Sequence, residues 1–341
     1  MATFRLTRRQ KRLLLRGSLA IIALAATITI WNRLRSGGRS DVSRFKASSV
    51  QQVITLRDRE NCPDIYEWDN IGIIVKTSAS EDPERLRIQL QTTLRCIRDL
   101  LIVSDLDAVV DGYQIHDVLQ SVDPAIRDHD PDFDLYHAQL TLSAQGFTPE
   151  RIRNVFDGGS QVAVLEKYMA LQMLRRAYEE MPGREWYVFV QSDTYLNWAN
   201  LVTWLERMEA SQGLFIGAPN VKAGIRYNDL CGGFVLSASA LHTLATQPAD
   251  FFTAWEKRTA RESSGDVILS LALADVGVNV SGVWPMLGGD SVNEMAYGKG
   301  GAWCQPVISL RGIEGKQMRE AWKLEKHVEQ AGVSIVPNFA I

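Results

Sequence analysis

The fingerprints of the common enzyme classes are missing from this 341-residue chain. It has no GxSxG nucleophile elbow, no P-loop, no HExxH pair and no GxGxxG turn, which excludes the familiar forms of serine hydrolysis, NTP hydrolysis, zinc proteolysis and dinucleotide chemistry. Histidine is scarce: His116, His129, His137, His242 and His327 are scattered and share no metal-ligand spacing. Cysteine is scarce too. Cys62, Cys96, Cys231 and Cys304 lack the close pairs of a zinc site. Two uses remain for them, one or two disulfides of undetermined pairing or buried thiols. The globular part holds no basic block, and the formal net charge is −3, so nucleic acid is not an expected partner. Internal repeats and low-complexity tracts are absent as well.

Long apolar runs are also missing, with one exception at the start. Arg5, Arg8, Arg9, Lys11, Arg12 and Arg16 precede GSLAIIALAATITIW (17–31), and no acidic residue occurs before Asp41. Extending the run back over Leu13–Leu15, with Arg16 reaching to the interface, gives the 19 residues 13–31, about the length a bilayer crossing needs. The basic flank predicts a cytosolic tail (1–12) and a lumenal remainder. A cleaved signal peptide ending near Ala25-Ala26 is a rival reading, and an Arg-rich mitochondrial transit peptide is another. The uniform apolarity favours a signal anchor, followed by a polar stem (32–61) and a globular domain (62–341). Asn279-Val280-Ser281 is a glycosylation sequon, meaningful only if that domain is lumenal.

The chain as a whole has 46% apolar and 23% charged residues, ordinary for a globular protein with a sizeable core. Short β-branched runs alternate with helical patterns. IGIIV (71–75), LLIVS (100–104), WYVFV (186–190), LFIG (214–217), GFVLS (233–237) and VISL (307–310) read as strands. Helices are expected from Glu81-Asp82-Pro83 onward, over 163–181 up to Pro182-Gly183, and over 200–208, 265–276 and 314–331. That alternation predicts an α/β fold, a mostly parallel sheet with helices on both faces. Ligands of such sheets sit beyond the carboxyl ends of the strands. Lys76-Thr77 and Ser192-Asp193 fall just there.

Two carboxylates could carry chemistry. Asp193 follows a buried strand and reads either as a ligand to a divalent cation on a diphosphate or as a turn or N-cap residue. Asp266 opens an apolar helix and reads either as a general base or as a first-turn carboxylate favoured by the helix dipole. Gly232-Gly233 precedes FVLS, where backbone could approach a ligand or merely form a bulge. The nine tryptophans suit carbohydrate stacking or the core.

Taken in order, several stretches resemble the fungal branch of glycosyltransferase family 31, relatives of Fringe and of the core 1 β-1,3-galactosyltransferases. They are IGIIVKTSASE (71–81), LIVSDLDAVVDGYQIHDVL (101–119), FDLY (133–136), LEKYMALQML (165–174), WYVFVQSDTYLNWANLVTWL (186–205), GFVLSASAL (233–241), GDVILSLAL (265–273) and WCQPVISL (303–310). The resemblance implies a GT-A fold, a UDP-sugar donor, a glycan or glycoprotein acceptor, Mn2+, and a Golgi type II membrane protein. It places Asp193 as the metal ligand and Asp266 as the base. Lys76, Thr77, Lys167, Ser192, Gly232 and Gly233 then fall at the nucleotide-sugar site.

This chain departs from the family pattern at three places. Gln191-Ser192-Asp193 stands where two or three acidic residues are usual. Asp229-Leu230-Cys231-Gly232-Gly233 replaces a His-Gly-Gly run. Arg311 stands where the late strand usually ends in a metal-ligand His. Two consequences stay open: Arg311 grips a donor phosphate in place of cation charge, or the chain is a catalytically silent relative that binds sugar or partners an active transferase.

Overall fold

The computed structural model describes Cys62 and residues 69–156, 159–262, 264–291, 305–313 and 315–330. The expected basic tail (1–12), anchor (13–31) and stem (32–61) lie outside the described residues. Among the described residues no helix is long and apolar enough to cross a membrane.

The first half of the fold runs β1 (Ile71–Lys76), α1 (Pro83–Gln91), β2 (Leu100–Ser104), β3 (Ala108–Val110) and β4 (Tyr113–Asp117). Four helices follow: α2 (Pro124–Arg127), α3 (Asp134–Ala144), α4 (Pro149–Val155) and the long α5 (Ser160–Glu180). Next come β5 (Trp186–Gln191), β6 (Tyr195–Leu196), α6 (Trp198–Leu205), β7 (Phe215–Lys222), β8 (Ile225–Asp229) and β9 (Phe234–Ser237). The chain closes with α7 (Ala238–Ala245), α8 (Ala249–Thr259), α9 (Gly265–Asp275), β10 (Val280–Gly282), β11 (Leu287–Ser291), β12 (Ser309–Arg311) and α10 (Gly315–Gln330).

The main sheet is ordered β10-β7-β9-β5-β1-β2-β4-β3, with β8 hairpinned onto β7. Its centre is parallel: β1 pairs with both β5 and β2, and β2 with β4. Strand β9 runs antiparallel between β5 and β7, so the sheet is mixed but mostly parallel in direction. A small second sheet, β11-β12-β6, packs against it, with β11 beside β7 and Leu196 and Leu287 sharing a core with β1 and β5. This is the α/β architecture expected, and it is consistent with GT-A.

Strands in the centre read as continuous apolar runs because both faces are covered. Alternation then sorts their side chains. Ile74, Tyr187, Phe189, Phe234 and Leu236 pack with α5 and α9 on one face. Ile71, Ile73, Val75, Val188, Val190 and Val235 pack with α1 and α6 on the other. Phe189 and Phe234 stack with ring centroids 4.5 Å apart, and Phe215 meets Phe234 edge-on. Trp186 and Trp198 are fully buried, so these tryptophans serve the core.

Several elements differ from expectation. The late strand covers Ser309–Arg311 rather than 307–310, so Arg311 lies within it. Helix α6 begins at Trp198, capped by the Asn197 side chain, which accepts from the Asn200 amide. Strand β7 runs on past Gly217 to Lys222 because β8 pairs with it, partner by partner, from Ala218 to Lys222. A disulfide joins Cys62 to Cys96, just past α1, and Cys231 is a free thiol. Cys304 lies outside the described residues.

Candidate active site

The carboxyl ends of β1 and β5 lie side by side, because Lys76 pairs with Gln191 in the β1–β5 register. Immediately beyond, the Ser192 amide donates to the Lys76 carbonyl, 3.1 Å away. The chain then turns, with the Thr194 amide donating back to Gln191. Buried Gln89 of α1 clamps the turn: its Nε2 donates to the carbonyls of Gln191 (2.8 Å) and Thr194 (2.7 Å). From the other side the Ile313 amide donates to the Asp193 carbonyl, 3.1 Å away. A turn fixed this thoroughly holds its one acidic side chain in place.

That side chain is Asp193, and its Oδ1 is buried with no hydrogen-bond partner among the described residues. An unpaired buried carboxylate oxygen costs free energy and calls for an explanation. Desolvation raises the Asp193 pKa, opposed by the charges of Arg85, Arg311 and Lys76. Asp193 does not cap α6, since Asn197 does, so the bland capping role expected as its rival is removed.

Asp266 sits in the first turn of α9, on a helix tied to β8 by the bond from the Asn228 amide to the Ser270 hydroxyl (2.9 Å). It lines a cavity of about 190 Å³. Ile74, Met173, Phe189 and Phe234 make the apolar wall of this cavity, and Lys76, Glu166, Cys231 and Asp266 supply its polar groups. Burial raises the Asp266 pKa to about 6, with Asp229 adding to the rise and Lys76 opposing it. Carboxylates poised this way recur at functional sites. Ligating atoms of Asp229, Cys231 and Asp266 all lie within 4.8 Å of one another. Burial, then Asp229 and Asp266, push the Cys231 thiol up to about 12. It therefore stays a thiol at neutral pH and is no nucleophile.

The remaining expected residues divide. Lys76 enters the cavity and pairs with Glu166, Nζ to Oε1 3.2 Å. Burial would lower its pKa, but Glu166 and Glu81 outweigh that and raise it. Thr77 and Ser192 both donate to Glu81 Oε2. Arg311 lies 3.7 Å from Asp229 Oδ1, and its charge also acts on Asp193. The Gly232 carbonyl accepts from the Ser309 hydroxyl. Gly233 has φ +89°, and a Cβ there would lie 2.9 Å from the Phe189 carbonyl oxygen. Close approach to β5 therefore accounts for this glycine without any ligand. Lys167 stays outside the cavity, 3.7 Å from Asp132 Oδ2 and within reach of the Glu262 carbonyl. On α5 the cavity face is Ala163, Glu166, Ala170 and Met173, the i, i+3, i+4 phase. Glu166, one residue before Lys167, lines the cavity instead.

Sequence reasoning gives no site role to Glu81, Glu166, Asp229 or Cys231. Helical phase was a usable signal for Glu166. None was available for Glu81 or for the Asp229–Asp266 approach, which depend on strand pairings distant in sequence.

Residues 145–267 match the Fringe-like family model. The matched span runs from just before α4 through Asp266, taking in Ser192, Asp193, Gly232 and Gly233. It stops short of Lys76, Thr77 and Arg311. The match agrees with the ordered motifs and is consistent with a relative of the family 31 glycosyltransferases. A comparison with curated proteins finds no match.

Proposed function

We propose that the chain is an inverting glycosyltransferase that moves a hexose or N-acetylhexosamine, galactose foremost, from a UDP-sugar to a glycan hydroxyl, forming a β-1,3 linkage. The observation that carries this reading is a pair of carboxylates near the ends of β1 and β5: Asp193, held in a fixed turn with one oxygen unpartnered, and Asp266, which lines the adjoining cavity, the Lys76 charge acting on both. Transfer is a displacement at the anomeric carbon. The acceptor oxygen forms the new bond, the bond to the diphosphate oxygen breaks, and Asp266 takes the acceptor proton. With a pKa of about 6, Asp266 is ionised at neutral pH yet more basic than an ordinary carboxylate, which suits a general base.

The donor set fits a divalent cation. Glu81, Glu166, Asp193, Asp229 and Asp266 outnumber Lys76, Arg85 and Arg311 around the strand ends, so a diphosphate arriving alone would meet surplus negative charge. Asp193, half-buried, would hold Mn2+ through its carboxylate, and when bound the ion would neutralise charge on the departing diphosphate. Arg311 stands beside it as a fixed cation for the same phosphates. The alternative in which Arg311 replaces the ion entirely is less favoured, because its guanidinium is already shared with Asp229.

A Golgi type II protein with a lumenal domain suits the disulfide and the exposed sequon residue Asn279. Occupancy of Asn279 by a glycan checks that placement.

Two expected results follow from the site. Asp193→Ala lowers transfer on the order of 100-fold through weaker donor binding, and EDTA does the same to the parent. Turnover of Asp193→Ala at the parental rate contradicts the assignment. Lys76→Met removes a charge that lowers the Asp266 pKa, so that pKa rises further. The acid limb of the pH–rate profile, near pH 6 in the parent, then moves to higher pH. An unmoved limb, or one moved downward, assigns the limb to another group.

A further inference from the structure

We infer that Glu81 is a positioning residue, the strut that joins the loop after β1 to the turn bearing Asp193. Its carboxylate lies between two segments more than a hundred residues apart in sequence. Oε2 accepts from the Thr77 hydroxyl (3.1 Å) on its own side and from the Ser192 hydroxyl (2.5 Å) on the other. The Ser192 bond spans 111 residues. One oxygen with both donors fixes the spacing of the two segments that the transferase reading, on which this inference rests, places around the nucleotide.

The surroundings keep this carboxylate where it is. The Glu81 amide donates to the Ser78 carbonyl at 3.0 Å. Ser78 and Ala79 are in turn held by buried Asp105, which accepts from the Ala79 amide at 2.6 Å and from the Ser78 hydroxyl at 3.2 Å. Asp105 itself is anchored by Gln139 of α3, Nε2 to Oδ2 3.2 Å. The strut is thus the last link of a chain, Gln139–Asp105–Ser78–Glu81–Ser192, running from the α3 side of the sheet to the Asp193 turn. Desolvation raises the Glu81 pKa, while the Ser192 hydroxyl and Lys76 oppose the rise. Charge-assisted bonds in such a setting are directional and strong. Preorganisation of this kind is worth most where a ligand must meet a fixed carboxylate.

The role predicts a particular pattern in the full chain. Glu81→Ala raises the UDP dissociation constant in Mn2+ roughly tenfold, as the loss of its charge-assisted bond across to Ser192 would. Ser192→Ala does about the same, and the double variant is no worse than the worse single one, since both break one link. Glu81→Gln, whose amide oxygen still accepts, stays within about threefold of the parent. The acceptor KM moves little in all of them. Additive single effects, or equal losses in donor and acceptor KM, overturn the strut.

Hydrogen exchange tests the strut without any nucleotide. Exchange of the Ser192 and Thr194 amides should accelerate in Glu81→Ala and return toward the parental rate in Glu81→Gln. Unchanged exchange in Glu81→Ala overturns the inference. If the parent binds no UDP while the exchange pattern holds, the transferase reading fails and the strut stands.

Discussion

Asp266→Asn is expected to reduce transfer by about 10²–10⁴-fold, the span that loss of a general base produces, with UDP affinity within about twofold of the parent. The asparagine keeps the shape of the side chain in the cavity lining and removes only its capacity to accept a proton. In the proposed reading nucleotide affinity rests on Asp193 and its cationic neighbours, and Asp266 belongs to a different segment. The pH profile supplies a second check. Burial and Asp229 raise the parental Asp266 pKa to about 6. Transfer should therefore rise with pH through that value, since the base acts when ionised, and the limb should vanish in Asp266→Asn. A variant that turns over normally, or keeps the limb at pH 6, assigns the base elsewhere. Loss of UDP affinity equal to the loss of rate would make Asp266 a binding residue.

Gly233→Ala is expected to destabilise the fold by about 2–4 kcal/mol, the sum of backbone strain at positive φ and a contact that must be relieved. The backbone at φ +89° is disfavoured for any residue with a Cβ. That Cβ would lie 2.9 Å from the Phe189 carbonyl oxygen and 3.3 Å from a Val190 methyl, both in the centre of the sheet. Neither neighbour is the free end of a flexible side chain. The thermal midpoint should fall by roughly 5–10 °C. An unchanged midpoint combined with weaker donor binding would return Gly233 to the ligand-contact role that the sequence left open.

The legible parts of the fold are those where one segment decides the outcome. Strands β1, β2, β5 and β9 show as apolar runs because each is buried on both faces, and α5 shows because it is long and ends at Pro182-Gly183. The β3–β4 hairpin goes beyond the strands read from the sequence, although its turn is local: Asp111 and Gly112 take φ of 49° and 84°, the backbone of a D-G turn between Val110 and Tyr113. Strand β8 is a different matter. Its residues IRYND carry no apolar alternation, and they are a strand because β7 is there to pair with.

The site follows the same division. Asp193 and Asp266 are readable because each punctuates an apolar element. Their setting is not, because it is made of distant approaches: Glu81 to Ser192, Asp229 to Arg311, Lys76 to Glu166. Lys167 and Glu166 show what a motif alone does not specify. The motif finds the helix, and the helical phase turns Glu166 rather than Lys167 toward the cavity.

The central claim is that this sheet edge binds a UDP-sugar through Asp193 with a divalent cation. Calorimetric titration of UDP into the full chain, with Mn2+ and then with EDTA, tests it most directly. Saturable one-site binding in Mn2+, lost in EDTA and lost in Asp193→Ala, is the predicted result. Equal binding in EDTA would transfer the charge-neutralising role to Arg311. The absence of binding under both conditions would contradict the account and favour the silent sugar-binding relative.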